Sequence, residues 1–432
     1  MLSAQSKDAL GPAGSTLTFD GATLQVTGTT FNDLAGHAVT WGAKGGGIDI
    51  QEAANTLTVS DALNGGPLKV NELGGKGTLK LTASDTFTTT DVFSGALLID
   101  GTNTLNSPVT VHAGGTLGGN DAAVITGNVT NAGTLAPGFG LTTAGSKMTI
   151  AGNYAGNGGT LSLNTQLGAD SSPTDQLFIN GGTTTGSTGI VVTNRGGLGA
   201  LTTGLGIPIV VPEGGATIGA GTFGPNGSVV PGAAAGIYQY NLFQGTGGDT
   251  TYYLRSHGDS PPTPGGEPPP LGPPPLYRPE VSIFSAMPGL ARQQELTTLG
   301  TFHERNGDQR LAANAGPRTA AWGRLFGEQM EQSHSGLVGA SFDGSTGGLQ
   351  SGVDAMQWVN ASGHQDRLGM FAAYAHTTGT VNGFALGIPN AVAGRAELDG
   401  TSIGGYWTHL APTGWYTDAV LMGTRFEGDG SA

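Results

Sequence analysis

Leu57-Thr58-Val59, Leu68-Lys69-Val70 and Leu79-Lys80-Leu81 repeat one small unit, two apolar residues flanking a polar one, in steps of 11 residues. The unit recurs at Leu24/Val26, Ile48/Ile50, Val109/Val111, Met148/Ile150, Leu161/Leu163 and Leu177/Ile179. Between copies lie glycine turns such as Asn64-Gly65-Gly66, Leu73-Gly74-Gly75-Lys76-Gly77 and Ala113-Gly114-Gly115. In an extended chain residues i and i+2 share a face, so each unit offers two apolar side chains on one side of a very short strand. Such a strand has no stability alone. Stacked in successive coils, it buries its pair and hydrogen-bonds its backbone to the next coil, which is the logic of a parallel β-solenoid. A sandwich of hairpins is the competing reading. Its strands would be about 5–6 residues long, more than these units supply.

The rest of the composition agrees with an all-β chain. Glycine fills 79 of 432 positions without a Gly-X-Y period, so a collagen helix is excluded. Asp and Glu number 31 against 17 Lys and Arg, a net charge of −14, which argues against a nucleic-acid partner because phosphate binding needs clustered cations. There is no cysteine, so no disulfide fixes any loop of the chain. No run of about 18 apolar residues encodes a membrane helix. Met1-Leu2-Ser3-Ala4-Gln5-Ser6-Lys7 also lacks the basic and apolar regions of a secretory signal.

Along the chain the pattern predicts a solenoid over 1–180 and a cap over 181–255, where Ile207-Pro208-Ile209-Val210-Val211 and Tyr252-Tyr253-Leu254 still read as strands. A proline-rich linker follows over 256–279, dense enough in proline to exclude helix and sheet. A helix is expected within 280–312, with its helix formers concentrated from Gly289 to Arg305 and Leu296, Leu299 and Phe302 on one face. From 318 to 432 five segments read as longer strands, several of them near the ~9–11 residues of a tilted membrane strand: Thr319–Glu331, Gly348–Asn360, Arg367–Thr378, Gly400–Leu410 and Gly414–Phe426. Leu368, Met370, Ala372 and Tyr374 make one apolar face, continued by Ile403, Gly405 and Trp407, while Asp418 is assigned to the opposite, lumen-facing side.

The order of these parts resembles the autotransporter family. Asn131-Ala132-Gly133-Thr134-Leu135-Ala136-Pro137-Gly138 looks like a rung that recurs in its passengers, with Gly114–Gly119 and Ile150–Tyr154 similar to the neighbouring rungs. Tyr277-Arg278-Pro279-Glu280-Val281 and Leu299–Arg305 resemble the linker helix of pertactin-like members. Ala321-Trp322-Gly323-Arg324 and Gly348–Asp354 look like the first two barrel strands. The resemblance implies type V secretion. A right-handed parallel β-helix passenger would be displayed at the cell surface of a Gram-negative bacterium, and a C-terminal outer-membrane β-barrel would hold the linker helix in its pore. Residues after about 160 would correspond to an autochaperone segment. The implied partners are outer-membrane lipid and the outer-membrane assembly machinery, with host surface molecules for the passenger. Five strands cannot close a twelve-stranded barrel, and Asp429-Gly430-Ser431-Ala432 does not resemble the family's aromatic end. The expectation is therefore an incomplete antiparallel barrel and a fragment of a longer protein.

No catalytic, cofactor or metal residue stands out, and neither cofactor nor small-molecule substrate is predicted. The eight histidines are scattered without a zinc spacing. His303-Glu304 reads as pore polarity, and His257-Gly258-Asp259-Ser260 lacks the strand–turn–helix setting of a hydrolase nucleophile. Gly45-Gly46-Gly47-Ile48-Asp49 does not repeat, as a calcium roll would require. Some family members cleave the passenger at an Asn pair in the pore helix; here Asn306 and Asn314 stand apart. Two alternatives to simple display remain: an adhesin acting through the β-helix, or a β-helical carbohydrate-active enzyme. The second needs convergent charged groups, and residues 1–255 hold eight Lys and Arg in all.

Overall fold

A computed structural model describes residues 1–259, 273–306 and 321–432. They form two compact units, Met1–Leu276 and Tyr277–Ala432. Most of the proline-rich linker read from the sequence lies outside the described residues. At its ends, Leu276 is buried on the first unit and its N–H donates to the Ser256 carbonyl at 2.7 Å.

The first unit is a parallel solenoid. One full coil runs through Leu68–Val70, Thr78–Leu81 and Asp85–Phe87, and the next through Thr90–Val92, Gly95–Ile99 and Thr104–Asn106. Each strand pairs in parallel with its counterpart one coil on, Leu68 with Thr90 and Leu79 with Leu97. The step of 11 seen in the sequence is half a coil. Leu57 stacks on Leu79, whereas Leu68 lies on a neighbouring face. The apolar pairs point inward as their alternation requires. Leu57, Val59, Leu68, Val70, Leu79 and Leu81 are all buried, each such side chain contributing about 1.5–3 kcal/mol of transfer free energy.

Coils can approach this closely because of particular turns. Gly45 has φ +67°, and an added Cβ there would run into the backbone of Pro67 in the next coil. Asp49, fully buried at the end of that glycine run, accepts hydrogen bonds from the N–H groups of Leu73 (2.7 Å) and Gly75 (3.4 Å). Its carboxylate thus fastens one coil to the following turn.

Parallel pairing continues past the boundary expected at 180. Tyr154–Thr165 pairs with Thr184–Asn194, and Gln176–Asn180 with Ile207–Glu213. Strands of 12 and 11 residues replace the short units here, which is why the sequence pattern loosens without the coil ending. Antiparallel pairing begins only where Tyr252–Arg255 joins both Ile207–Glu213 and Tyr238–Gln244. Ser228–Ala235 then completes an antiparallel end to the stack.

The second unit is a five-stranded antiparallel meander: Ala321–Ser333, Ser341–Val359, Gln365–Ala385, Ile388–Leu410 and Tyr416–Ser431. Its strands are 13, 19, 21, 23 and 16 residues long, and all but the first exceed the segments read from the sequence. Of the added lengths, Gly379–Ala385 is rich in glycine and small polar residues and Ile388–Asp399 carries charge. They lack the apolar alternation that marks a membrane strand, yet they extend the same hydrogen-bonded ladder.

Candidate functional site

Alternation divides the second unit's sheet into two unlike faces. One carries Leu325, Leu349, Met370, Ile403 and Leu421, with Leu325 86% and Leu421 82% exposed. Leu368, Met370, Ala372, Tyr374, Ile403, Gly405 and Trp407 share that face, as the strand parity and the register Met370–Gly405, Leu368–Trp407 require. A row of exposed apolar side chains on every strand is costly in water and favourable in hydrocarbon. Trp407 closes one end of the band: its Nε1–H donates to Asp366 at 3.0 Å, and His409 shares that carboxylate oxygen at 2.9 Å.

The opposite face holds a helix, Pro279–Leu299. It starts ten residues before the helix formers singled out in the sequence, with proline at the first position where no N–H is needed. Its buried stripe is Ser282, Ile283, Ala286, Leu290, Gln294 and Thr298, at the 3–4 spacing of one helical face. Leu296, expected on the packed face, is exposed. The helix touches all five strands. Five strands about 4.8 Å apart span about 19 Å, while a helix is about 10–12 Å across, so the sheet must curl around it.

Glycines on the strands make the room. A Cβ at Gly383 would lie 2.5 Å from Ser282 Oγ, at Gly400 2.7 Å from Gln294 Oε1, and at Gly430 2.7 Å from Ile283 Cγ2. Toward its start the helix packs through Ile283, Ala286 and Leu290 on Phe342, Val381, Ala396 and Leu398. Further on the contact turns polar. Gln294 Nε2 donates to the Leu398 carbonyl at 3.0 Å, and the Thr297 hydroxyl donates to Glu328.

Arg324 closes the helix. Its Nη2 donates to the carbonyls of Thr297 (3.0 Å) and Thr298 (2.6 Å), and its Nε to Gln350 Oε1 at 2.8 Å. Those carbonyls belong to the last turn, which has no helical donors left and carries the negative end of the helix dipole. Beyond this end the same face carries a polar chain. Trp322 Nε1 donates to the Tyr406 hydroxyl at 2.8 Å, that hydroxyl donates to Asp354, and Arg367 lies 3.8 Å from the same carboxylate. Asp418 is on this face too, accepting from the Thr408 hydroxyl at 2.6 Å. The arrangement suits holding a polypeptide segment in a wetted, membrane-spanning interior.

The residues weighed individually in the sequence have structural partners. Glu304 and Thr301 form a reciprocal cap on the short helix Phe302–Asn306, and His303 lies edge-on to Tyr416 at 5.3 Å. His257 is buried, with its ring nitrogens against the carbonyls of Gly258 and Gly204. The Asn306 side chain and Asn314 lie outside the described residues. Among the described residues, no group of three or more His, Cys, Asp or Glu side chains is arranged to hold a metal ion. Arg324 is the functional residue that sequence reasoning passed over. In the sequence it reads only as part of a strand motif, because its partners Thr297 and Thr298 lie on a separate element.

Comparison with known proteins accounts for both units. Residues 128–242 match the family model described as Autochaperone Domain Type 1, and residues 321–432 match Autotransporter beta-domain. The chain is 32% identical to Adhesin BmaC autotransporter of Brucella suis biovar 1 (strain 1330), over 98% of this chain and 12% of that protein. It is 31% identical to Uncharacterized protein YdeU of Escherichia coli (strain K12), over 66% of this chain and 63% of the relative. A shorter match, 30% identical over 33% of this chain and 14% of the relative, is to Pertactin autotransporter of Bordetella bronchiseptica (strain ATCC BAA-588 / NCTC 13252 / RB50). The chain therefore spans less than two thirds of each of these relatives.

Proposed function

The chain belongs to the autotransporter family, and we propose that it serves type V secretion as a passenger stem joined to part of its own translocator. The family places it at the outer membrane and cell surface of a Gram-negative bacterium. In this reading residues 1–180 are the passenger β-helix, 181–255 its autochaperone-like cap, 256–279 the linker, 280–312 the pore segment and 318–432 the barrel portion. The observation that carries it is the helix Pro279–Leu299 seated on the polar, glycine-opened face of a sheet whose other face is apolar. A segment in that position joins an exported domain to the strands that surround it. Outer-membrane lipid and the outer-membrane assembly machinery are its expected partners.

Cells producing the chain from its natural locus provide the test. Protease added to intact cells should remove the solenoid and leave Tyr277–Ala432 protected. A disulfide between Ile283→Cys and Gly430→Cys, where a Cβ at 430 lies 3.7 Å from the Ile283 Cβ, should form in the exported protein. A solenoid degraded only after lysis would overturn the proposal.

A second reading, adhesion through the solenoid, is favoured by relatives named Adhesin BmaC autotransporter and Autotransporter adhesin AIDA-I. Adhesin-type relatives suggest a non-enzymatic role. We accordingly place catalysis on the β-helix below adhesion: the buried carboxylates Asp49 and Asp175 accept hydrogen bonds from backbone amides and act as fasteners.

A further inference from the structure

Two hairpin turns of the second unit bring a pair of imidazoles together. His364 ends the turn between Ser341–Val359 and Gln365–Ala385, and His409 lies near the end of Ile388–Leu410. His364 Nδ1 and His409 Nε2 are 2.9 Å apart, and the ring centres 5.1 Å apart. Two nitrogens bound to one ion at about 2.0–2.1 Å lie about 2.9 Å apart at a right angle and about 3.3 Å apart at a tetrahedral one. The pair already stands near chelating spacing.

Both rings are held from behind. Asp366 accepts a hydrogen bond from His409 Nδ1 at 2.9 Å. In the neutral ring this leaves the Nε2 lone pair for the side facing His364. A carboxylate on the far nitrogen is the arrangement that orients a metal-binding imidazole and raises its basicity. His364 is fixed through its backbone. Asn360 Oδ1 accepts from the N–H groups of Ser362 and His364, each at 3.0 Å, and the Asn360 N–H donates to the His364 carbonyl at 3.0 Å. A Cβ at Gly363 would lie 3.2 Å from Pro412, so this turn touches the one that follows His409. Ligands set in place this way lose little freedom on binding.

Among the described residues, no third His, Cys, Asp or Glu joins the pair to complete a metal-holding group, so water supplies the other ligands. Two imidazoles without a thiolate suit Ni(II), Cu(II) and Zn(II), with Cu(II) held most tightly, whereas Ca(II) and Mg(II) need oxygen donors. Without an ion, the His364 Nδ1–H donates to His409 Nε2. An ion takes that position, and the His364 proton passes through water to its own Nε2. The ring stays neutral and no proton is lost.

We propose that His364 and His409 form a two-histidine site for a divalent transition-metal ion, Cu(II) above all, that clips the 360–364 turn to the end of Ile388–Leu410. Asp366 is its positioning residue. The site stands on these side chains alone and does not depend on the secretory reading.

The test titrates Cu(II) into the full chain in detergent micelles, in a buffer without coordinating amines. Equilibrium dialysis counts bound ions and tryptophan emission reports where they sit. The rings of Trp415 and Trp407 lie 5.3 and 6.1 Å from that of His409, close enough for a paramagnetic ion on the pair to quench them. The parent should bind one equivalent more than His364→Gln or His409→Gln, and only the parent should show the matching loss of emission. Asp366→Asn keeps both ligands and should weaken that equivalent about 10–100-fold, a graded change that misfolding after loss of a histidine does not imitate. Excess Zn(II), which does not quench, should restore the parent's emission. Equal ion counts in the parent and both histidine variants would overturn the proposal and leave the pair a hydrogen bond only. Emission unmoved by Cu(II), or an Asp366→Asn affinity equal to the parent's, would overturn it as well.

Discussion

Replacing Asp85 by Asn should stabilise the solenoid at neutral pH and leave it unchanged in acid. Asp85 opens the strand Asp85–Phe87, is 1% exposed, and accepts a hydrogen bond from the Leu63 N–H at 2.7 Å. Burial, only partly offset by that bond, pushes its pKa up from 3.8 to about 6. At neutral pH the fold thus holds a carboxylate whose charge the unfolded chain would solvate better. A rise of roughly two units at 1.36 kcal/mol each is about 3 kcal/mol, and relaxation around the group brings the expected effect to about 1–3 kcal/mol. The sign follows from linkage. The folded pKa lies above the unfolded one, so Asp85's contribution is most favourable below the unfolded value of 3.8 and is lost as pH rises through about 6. Asn keeps an acceptor for Leu63 and carries no charge. Asp33, Asp100, Asp170 and Asp249 shift the opposite way and weaken parent and variant alike in acid, so the difference between the two isolates position 85. Urea unfolding of the full chain at pH about 4 and about 7.5 measures it. With a slope of about 2 kcal/mol per molar, the midpoints should separate by about 0.5–1.5 M at the higher pH and converge at the lower. An offset of the same size at both values would refute the reasoning, because charge would then have no part in it.

Three other substitutions probe the remaining claims. Gly45→Ala combines a positive φ with a collision against the Pro67 backbone and should lower solenoid stability by about 2–5 kcal/mol, read from the urea midpoint. Arg324→Ala strips the Thr297 and Thr298 carbonyls of a charged donor and should cost about 1.5–3 kcal/mol of helix docking, seen as faster amide exchange over the last helical turn. Leu290→Ala should cost about 2–5 kcal/mol in the same docking, with exchange rising from residue 283 onward and solenoid amides unaffected.

The solenoid was legible because its core is written in pairs. Leu57/Val59 and Leu79/Leu81 alternate with polar residues, and the structure stacks them in parallel register. What the pairs do not carry is which face each strand joins, so a half-coil step of 11 resembles a whole one. The helix was legible as a helix but not in its extent or its packed face. Pro288 suggests a boundary, yet it sits inside Pro279–Leu299. The carbonyl it deprives of a partner, four residues back, belongs to Phe284, whose side chain is exposed. Leu296 and Leu299 offer an apolar face in the sequence, whereas the stripe that docks ends in Gln294 and Thr298. The two differ because the receiving surface is apolar only toward the helix start, around Ile283, Ala286 and Leu290, and turns polar beyond it. Its strands turn Gly383, Gly400 and Gly430 toward the helix, and a glycine reads as a gap in any hydrophobic pattern. The usable signal is relational. Where Leu or Ile on one strand face alternates with Gly, Ser or Thr on the other, as in Ser402-Ile403-Gly404, the small side is the one that leaves room for something else. Here Gly404 gives its space to the Phe371 ring, and Gly400, four residues earlier and on the same face, gives its space to the helix through Gln294.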